Sequence, residues 1–224
     1  MKKIKLVDLG VIDYGKAFDY QHTIFEKVIN EKIGKTTNSE EQIIFCEHTP
    51  VFTLGKSGKA DNLLVNEAWL KMSGVEFYKT DRGGDITYHG PGQIVGYIII
   101  DLEKYSIGIK EFISKIETAI IKTLSEYNIK AEILAGATGV WIDTKENARK
   151  ICAIGVKASR YVTMHGFALN IATDLDYFSK IVPCGIPNKR VTSVENELNG
   201  KVSIEEIKMK LRQELAGVFN WEYY

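Results

Sequence analysis

Cysteine, proline, histidine and net charge are all scarce in this chain. Its three cysteines, Cys46, Cys152 and Cys184, stand at irregular spacing among 224 residues. That is neither a disulfide framework nor a CxxC metal pair, so a cytoplasmic protein with reduced thiols is expected. Basic and acidic residues balance at 29 each, which argues against a protein that binds nucleic acid or a membrane surface through bulk charge. A local basic patch facing an acidic protein partner stays open. No segment approaches the roughly 18 apolar residues of a membrane span. The opening MKKIKLVDLG carries the lysines of a signal peptide without an apolar stretch behind them. No internal repeat or low-complexity tract is visible, and only GKTTNSEE reads as a long surface loop.

What is present suits one domain over residues 1–224, long enough to bury a self-sufficient core. Apolar spacing of three and four predicts a helix over 13–30, with Tyr14, Phe18, Ile24, Phe25 and Val28 inward. A second is predicted over 109–127, with Phe112, Ile113, Ile116, Ile120 and Leu124 on one stripe. A third follows Ser203, opening on the Ser203/Glu206 capping box and carrying Ile207, Leu211 and Leu215; it could pack as a small C-terminal lobe. Short β-branched or aromatic runs predict strands at IKLVDL, QIIFCEH, PVFTL, EFYK, QIVGYIII, TGVWI, KICAIGV and HGFALNI. Helices and strands do not alternate strictly, so the fold class is a mixed α/β sheet flanked by helices rather than a repetitive βαβ array.

One stretch stands out for its chemistry: RGGDITYHGPGQ, from Arg82. It is no Walker A loop and no GxGxxG motif. Gly83-Gly84 and Gly90-Pro91-Gly92 permit two tight turns, with one strand of a hairpin between them. A ligand-free hairpin is one reading. The other is a pocket wall, because Arg, Tyr and His beside unhindered backbone are what such a wall requires. His89 and His165 each precede a glycine; they either hydrogen-bond backbone across the sheet or position a substrate carbonyl. With no third histidine and no suitably spaced carboxylate, zinc is not expected.

Cys184 lies between Pro183 and Gly185 in KIVPCGIP, a turn that can present a thiol at a pocket surface. Cys46 and Cys152 sit inside strand-like runs, as small hydrophobes do, so a nucleophilic cysteine would be Cys184. A thiol of pKa about 8.5 needs a partner to ionise it. Lys150, opening an otherwise apolar strand, could be its counter-ion, or a base if burial lowers its pKa; a solvated strand-end lysine is the plainer alternative. Lys157 and Arg160, in the polar KASR, are expected to face solvent.

Together these segments resemble the lipoyl(octanoyl) transferase family over nearly the whole chain. EHTPVFTLGK, RGGDITYHGPGQIVGY, KICAIGVK, MHGFALNI and VPCG follow in the family's order and spacing. Val182 replaces the family's usual Asn, and Cys152 a usual alanine; neither is a reacting group. The resemblance implies the mixed sheet of biotin and lipoate protein ligases, with Cys184 as acyl acceptor and Lys150 as catalytic lysine. It implies an acyl-binding surface from Arg82, Gly83, Gly84, Asp85, Ile86, Thr87, Tyr88 and His89, faced by Ala153, Ile154 and Gly155 and by Gly166, Phe167 and Ala168. The implied donor is octanoyl-acyl carrier protein. The implied acceptors are lysines on lipoyl domains of 2-oxoacid dehydrogenases and on the glycine cleavage H protein. Thioester to amide is downhill, so no ATP, metal or other cofactor is implied. The competing readings are an ATP-dependent lipoate–protein ligase, a non-catalytic acyl- or carrier-binding module, and a thiol amidase, which would want a histidine paired to its cysteine.

Overall fold

Period-two runs and three-four stripes sort this chain into a central sheet and the helices that cover it. A computed structural model describes residues 1–35, 40–182 and 190–224. The elements, in chain order, are β1 (Lys2–Ile12), α1 (Tyr14–Lys32), β2 (Gln42–His48), β3 (Val51–Leu54), α2 (Glu67–Ser73), β4 (Glu76–Lys79), β5 (Ile86–His89) and β6 (Gln93–Ile99). They continue with α3 (Leu102–Tyr105), α4 (Ile109–Ser125), β7 (Ala131–Leu134), β8 (Ala137–Ile142), β9 (Arg149–Ser159), β10 (Val162–Asn170), β11 (Arg190–Val191), α5 (Val194–Leu198), α6 (Ile204–Phe219) and β12 (Trp221–Tyr223).

The large sheet runs β12-β1-β2-β6-β10-β9-β8-β7, with β11 paired to β9. It is mixed: β1 lies parallel to β2 and β12, while β2, β6, β10 and β9 pair antiparallel. Strand alternation decides which face each side chain joins. Ile43, Phe45, Ile94, Ile98, Phe167 and Leu169 pack beneath α4 and α6. Their neighbours Ile44, Cys46, Val95, Tyr97 and Ala168 face α1. Both faces are covered, which is why QIIFCEH and QIVGYIII read as continuous apolar runs. Ile207, Leu211, Leu215 and Phe219 of α6 join the same core as Phe112, Ile116, Ile120 and Leu124 of α4. The last helix is therefore part of the main core rather than a separate lobe. Its N-cap keeps half of the expected box: Ser203 Oγ accepts from Glu206 N–H at 3.2 Å, while the Glu206 carboxylate turns to Tyr127.

A second sheet, β4-β3-β5, stands beside the first. The expected hairpin around Gly90-Pro91-Gly92 does not form, because β5 pairs with β3 and β6 with β2 and β10. The glycine corner instead carries the chain from the small sheet to the large one. Gly92, at φ +80°, gives its N–H to Glu47 and its carbonyl to Ile171 and Ala172 N–H, and a Cβ there would meet the Ala172 backbone at 2.6 Å.

Candidate active site

Between the two sheets lies a pocket whose floor is written in strand register. Gln93, Val95 and Tyr97 of β6 alternate onto the α1 face, as do Gly166, Ala168 and Asn170 of β10. Across β10, Gly166 pairs with Tyr97 and Gly155, and Ala168 with Val95 and Ala153. Asn170 pairs with Gln93. The floor therefore has three rows: an amide row, a small apolar row, and an aromatic–glycine row.

Lys150 reaches this floor through a bulge. Alternation backward from Gly155 and Ala153 would aim Ile151, not Lys150, into the pocket. The β8–β9 pairing slips there: Val140 lies opposite Cys152, but Trp141 lies opposite Lys150. Ile151 and Cys152 consequently both sink into the α4–α6 core, and Lys150 turns back to the pocket beside the amide row. Trp141 lies under its ammonium, 4.6 Å from Nζ to ring centroid. Gly139 of β8, at φ +115°, makes the adjoining room: a Cβ there would meet Cys152 O at 2.5 Å and the Lys150 stem at 3.5 Å. The buried Glu117 on α4 fixes that spot by accepting the Gly139 N–H at 3.0 Å; burial raises its carboxyl pKa.

The 82–89 stretch forms the wall. Arg82 is buried, and its guanidinium donates to Thr53 O (2.7 Å), Thr53 Oγ1 (2.9 Å), Asp85 O (2.7 Å) and Gly83 O (3.0 Å). It is a clasp for the loop. Asp85 binds Asn62 Nδ2 through one oxygen and its neighbour Ile86 N–H through the other. Gly83 donates to Val156 O at 2.9 Å, and a side chain at Gly155 would strike Gly83 O at 2.7 Å. The close backbone approach that the glycines permit is thus between this loop and β9.

Behind the wall runs a polar chain with a fixed direction. Asn170 Nδ2 donates to Thr192 O, so its Oδ1 accepts from Gln93 Nε2, and Gln93 Oε1 accepts from His89 Nδ1 at 2.8 Å. His89 is therefore a neutral ring protonated on Nδ1; burial depresses its pKa to about 3. His48, depressed to about 4 by burial, donates from Nδ1 to Ile12 O and accepts the Tyr97 hydroxyl on Nε2 at 2.6 Å. His165 keeps its register opposite Val156 but adopts φ +65°. That turns its imidazole toward Phe18 and onto Asp81, 2.9 Å from Nε2. The bond to His165, then that to Lys157, holds the Asp81 carboxyl well below the usual range, while burial lowers the His165 pKa. The partners of His89 and His165 are thus side chains rather than strand backbone. Lys157, expected in solvent, pairs with Asp81 and lies over Phe25.

Of the residues expected at the site, Arg82, Gly84, Asp85, Ile86, Thr87, His89, Lys150, Ala153, Ile154, Gly155, Gly166, Phe167 and Ala168 line the pocket. Gly83 does not; it packs on β9. Tyr88 points the other way and stacks on Tyr177 at 4.4 Å, since β5 alternates between pocket and small-sheet core. Cys184 lies outside the described residues; the segment carrying it rejoins the described chain at Arg190, which pairs with Arg149. Cys46 and Cys152 are buried, and desolvation drives both thiol pKa values up.

The strand order and the lysine-bearing pocket can be set against known proteins. A family model described as the lipoyl protein ligase A/B catalytic domain matches residues 13–216. The chain belongs to this family. Within it, the chain is 52% identical to an octanoyltransferase of Parabacteroides distasonis, over 98% of this chain and 100% of that one. It is 50% identical to an octanoyltransferase of Cytophaga hutchinsonii, covering 97% and 93%. A solved bipartite lipoate protein ligase from Thermoplasma acidophilum shares the fold at a TM-score of 0.73 and 16% identity, over 100% of this chain and 86% of that one. The mixed sheet expected from the sequence is thus the lipoate ligase fold.

For this member of the lipoyl protein ligase A/B family, sequence reasoning missed Tyr14, Gln93, Val95, Tyr97, Trp141, Asn170, Phe178, Arg190 and Val191 as pocket residues. A signal existed for three of them: once Gly166 and Ala168 are placed in a wall, the odd positions of QIVGYIII share their face. Among the described residues no three His, Cys, Asp or Glu side chains gather as a metal site, and no helix is long and apolar enough to cross a membrane.

Proposed function

We propose that this chain transfers an octanoyl group from octanoyl-acyl carrier protein to a lysine of a lipoyl domain, through a thioester on Cys184. The observation that carries the reading is the bulge at Ile151, which brings a charged side chain, Lys150, to the amide row at the edge of the small apolar row of the floor. The Cys184 thiolate attacks the donor's carbonyl carbon, the phosphopantetheine sulfur leaves as a thiol with a proton from the Lys150 ammonium, and the acyl group stays on Cys184. The acceptor amine then attacks the new thioester, Lys150, now a neutral amine, takes its proton, and the amide forms as the Cys184 thiolate leaves. The neutral His48 and His89 and the paired Asp81 add no free charge beside the acyl chain, which suits an apolar substrate. Lipoyl domains of 2-oxoacid dehydrogenases and the glycine cleavage H protein are the acceptors of this reading.

The test uses octanoyl carrier protein without acceptor and without ATP. One octanoyl group should appear on the enzyme, mapped to Cys184, and should move to an added lipoyl domain. An adduct on Cys46 or Cys152, a fully active Cys184→Ser variant, or a requirement for ATP would overturn the proposal.

A further inference from the structure

The floor has a definite length, and that length is a measure of the acyl chain. From the Lys150–Asn170–Gln93 row to the Gly155–Gly166–Tyr97 row is four residues along β10, about 13 Å at a strand rise of roughly 3.3 Å per residue. An extended octanoyl chain has seven carbon–carbon bonds between carbonyl and methyl; at about 1.25 Å of advance per bond of roughly 1.5 Å it spans about 9 Å. With its carbonyl at the lysine row, its methyl stops about 4 Å short of the far row, which is van der Waals contact for carbon. Decanoyl, about 2.5 Å longer at the same advance per bond, would overlap that row.

The far row is built not to yield. A side chain at Gly166 would strike the Gly96 carbonyl of the neighbouring strand, so this part of the floor is close-packed backbone. What rises from it is the Tyr97 ring, held by its hydroxyl's 2.6 Å bond to the fully buried His48, itself tied to Ile12 O. Above it, the Gly83 carbonyl closes over Gly155. The middle row is Val95, Ala168 and Ala153, small enough to let a chain pass.

We infer that Tyr97 is the residue that sets acyl chain length, as a rigid stop at the end of a floor two strand repeats long. The inference rests on the acyl-transfer reading above. Its test is single-turnover transfer from carrier proteins bearing butanoyl through dodecanoyl groups to a lipoyl domain, with the wild-type enzyme, Tyr97→Val and Ala168→Val. The wild-type enzyme should peak at octanoyl. Tyr97→Val should raise the decanoyl-to-octanoyl rate ratio by roughly 10-fold or more, and Ala168→Val should shift the ratio by a similar factor toward hexanoyl, since one methylene in an apolar pocket is worth about 10–200-fold. Unchanged chain-length profiles in variants that still transfer octanoyl overturn the inference and leave the acyl-transfer reading intact. Absence of transfer by the wild-type enzyme at every chain length overturns that reading first. If Tyr97→Val fails to fold, the Ala168→Val profile decides alone: a shift toward shorter chains upholds the measured floor, and no shift refutes it.

Discussion

The floor of the pocket and its 82–89 wall are held in place by different physics. Floor positions follow from strand alternation and register across β6, β10 and β9, which set a small apolar row between an amide row and an aromatic–glycine row. The wall has such regularity only in β5, and its 82–85 loop has no strand register. It is fastened by one buried guanidinium, which satisfies three backbone carbonyls and one hydroxyl, and by glycines that let its backbone lie on β9. Function should therefore be separable from stability on the floor and inseparable from it in the wall.

The largest test is at Lys150. Arginine and alanine there should each slow acyl transfer to the acceptor amine by roughly 10²–10⁴-fold, the usual loss of general acid–base help. The unfolding free energy should move by only about 1 kcal/mol, the scale of the contact with Trp141. Single-turnover rates beside urea titrations check this; near-normal transfer in both variants would make the lysine a bystander. At Arg82 the two quantities should fall together. Methionine leaves several buried carbonyls unsatisfied, at about 1–3 kcal/mol each, so a loss of roughly 3 kcal/mol or more is expected. Lysine should not restore it, lacking the planar fork. A stable but inactive Arg82→Met protein would make Arg82 a substrate ligand and erase the contrast.

The buried histidines give a prediction in pH. His48 and His89 have folded pKa values of about 4 and about 3, below the roughly 6.5 of a free imidazole. Between pH 6.5 and 4 the unfolded chain binds protons that the folded chain refuses, so stability rises with pH across that window and drains away as pH falls. The gap from 6.5 to about 4 at His48 corresponds to about 3 kcal/mol. Urea midpoints between pH 7 and 4.5 should fall, and His48→Gln should flatten the slope by about one proton. Smallest of all should be Gly83→Ala. Its Cβ would meet Val156 O at 3.2 Å and its φ is not in the left-handed region, so about 1 kcal/mol or less is expected, with transfer nearly intact.

The same contrast explains how much was legible in the sequence. The stripes of α1, α4 and α6 and the eight main strand runs follow from local periodicity. The pocket-lining part of RGGDITYH was visible because Arg, Tyr and His beside unhindered backbone suit a pocket wall, and the family resemblance named its residues. Three features were not local. Tyr88 turns away because β5 pairs with β3, a partnership that the hairpin-like spelling of HGPGQ conceals. The role of Gly83 depends on a strand some 70 residues later, where Val156 accepts its N–H. The place of Lys150 depends on a slip in β8–β9 pairing that strict alternation would have missed; on alternation alone it belongs in the core beneath α4.

That slip has a consequence for insertions and deletions. Most strand positions tolerate a change of residue better than a change of length, but at Ile151 the asymmetry is extreme. Inserting one residue between Val140 and Trp141 would give Ile151 a partner and restore regular pairing between β8 and β9, and the repaired sheet would carry its lysine on the wrong side, among Val140, Cys152 and Leu169. On the acyl-transfer proposal, the chain would lose its proton carrier with every proposed catalytic side chain still spelled in its sequence.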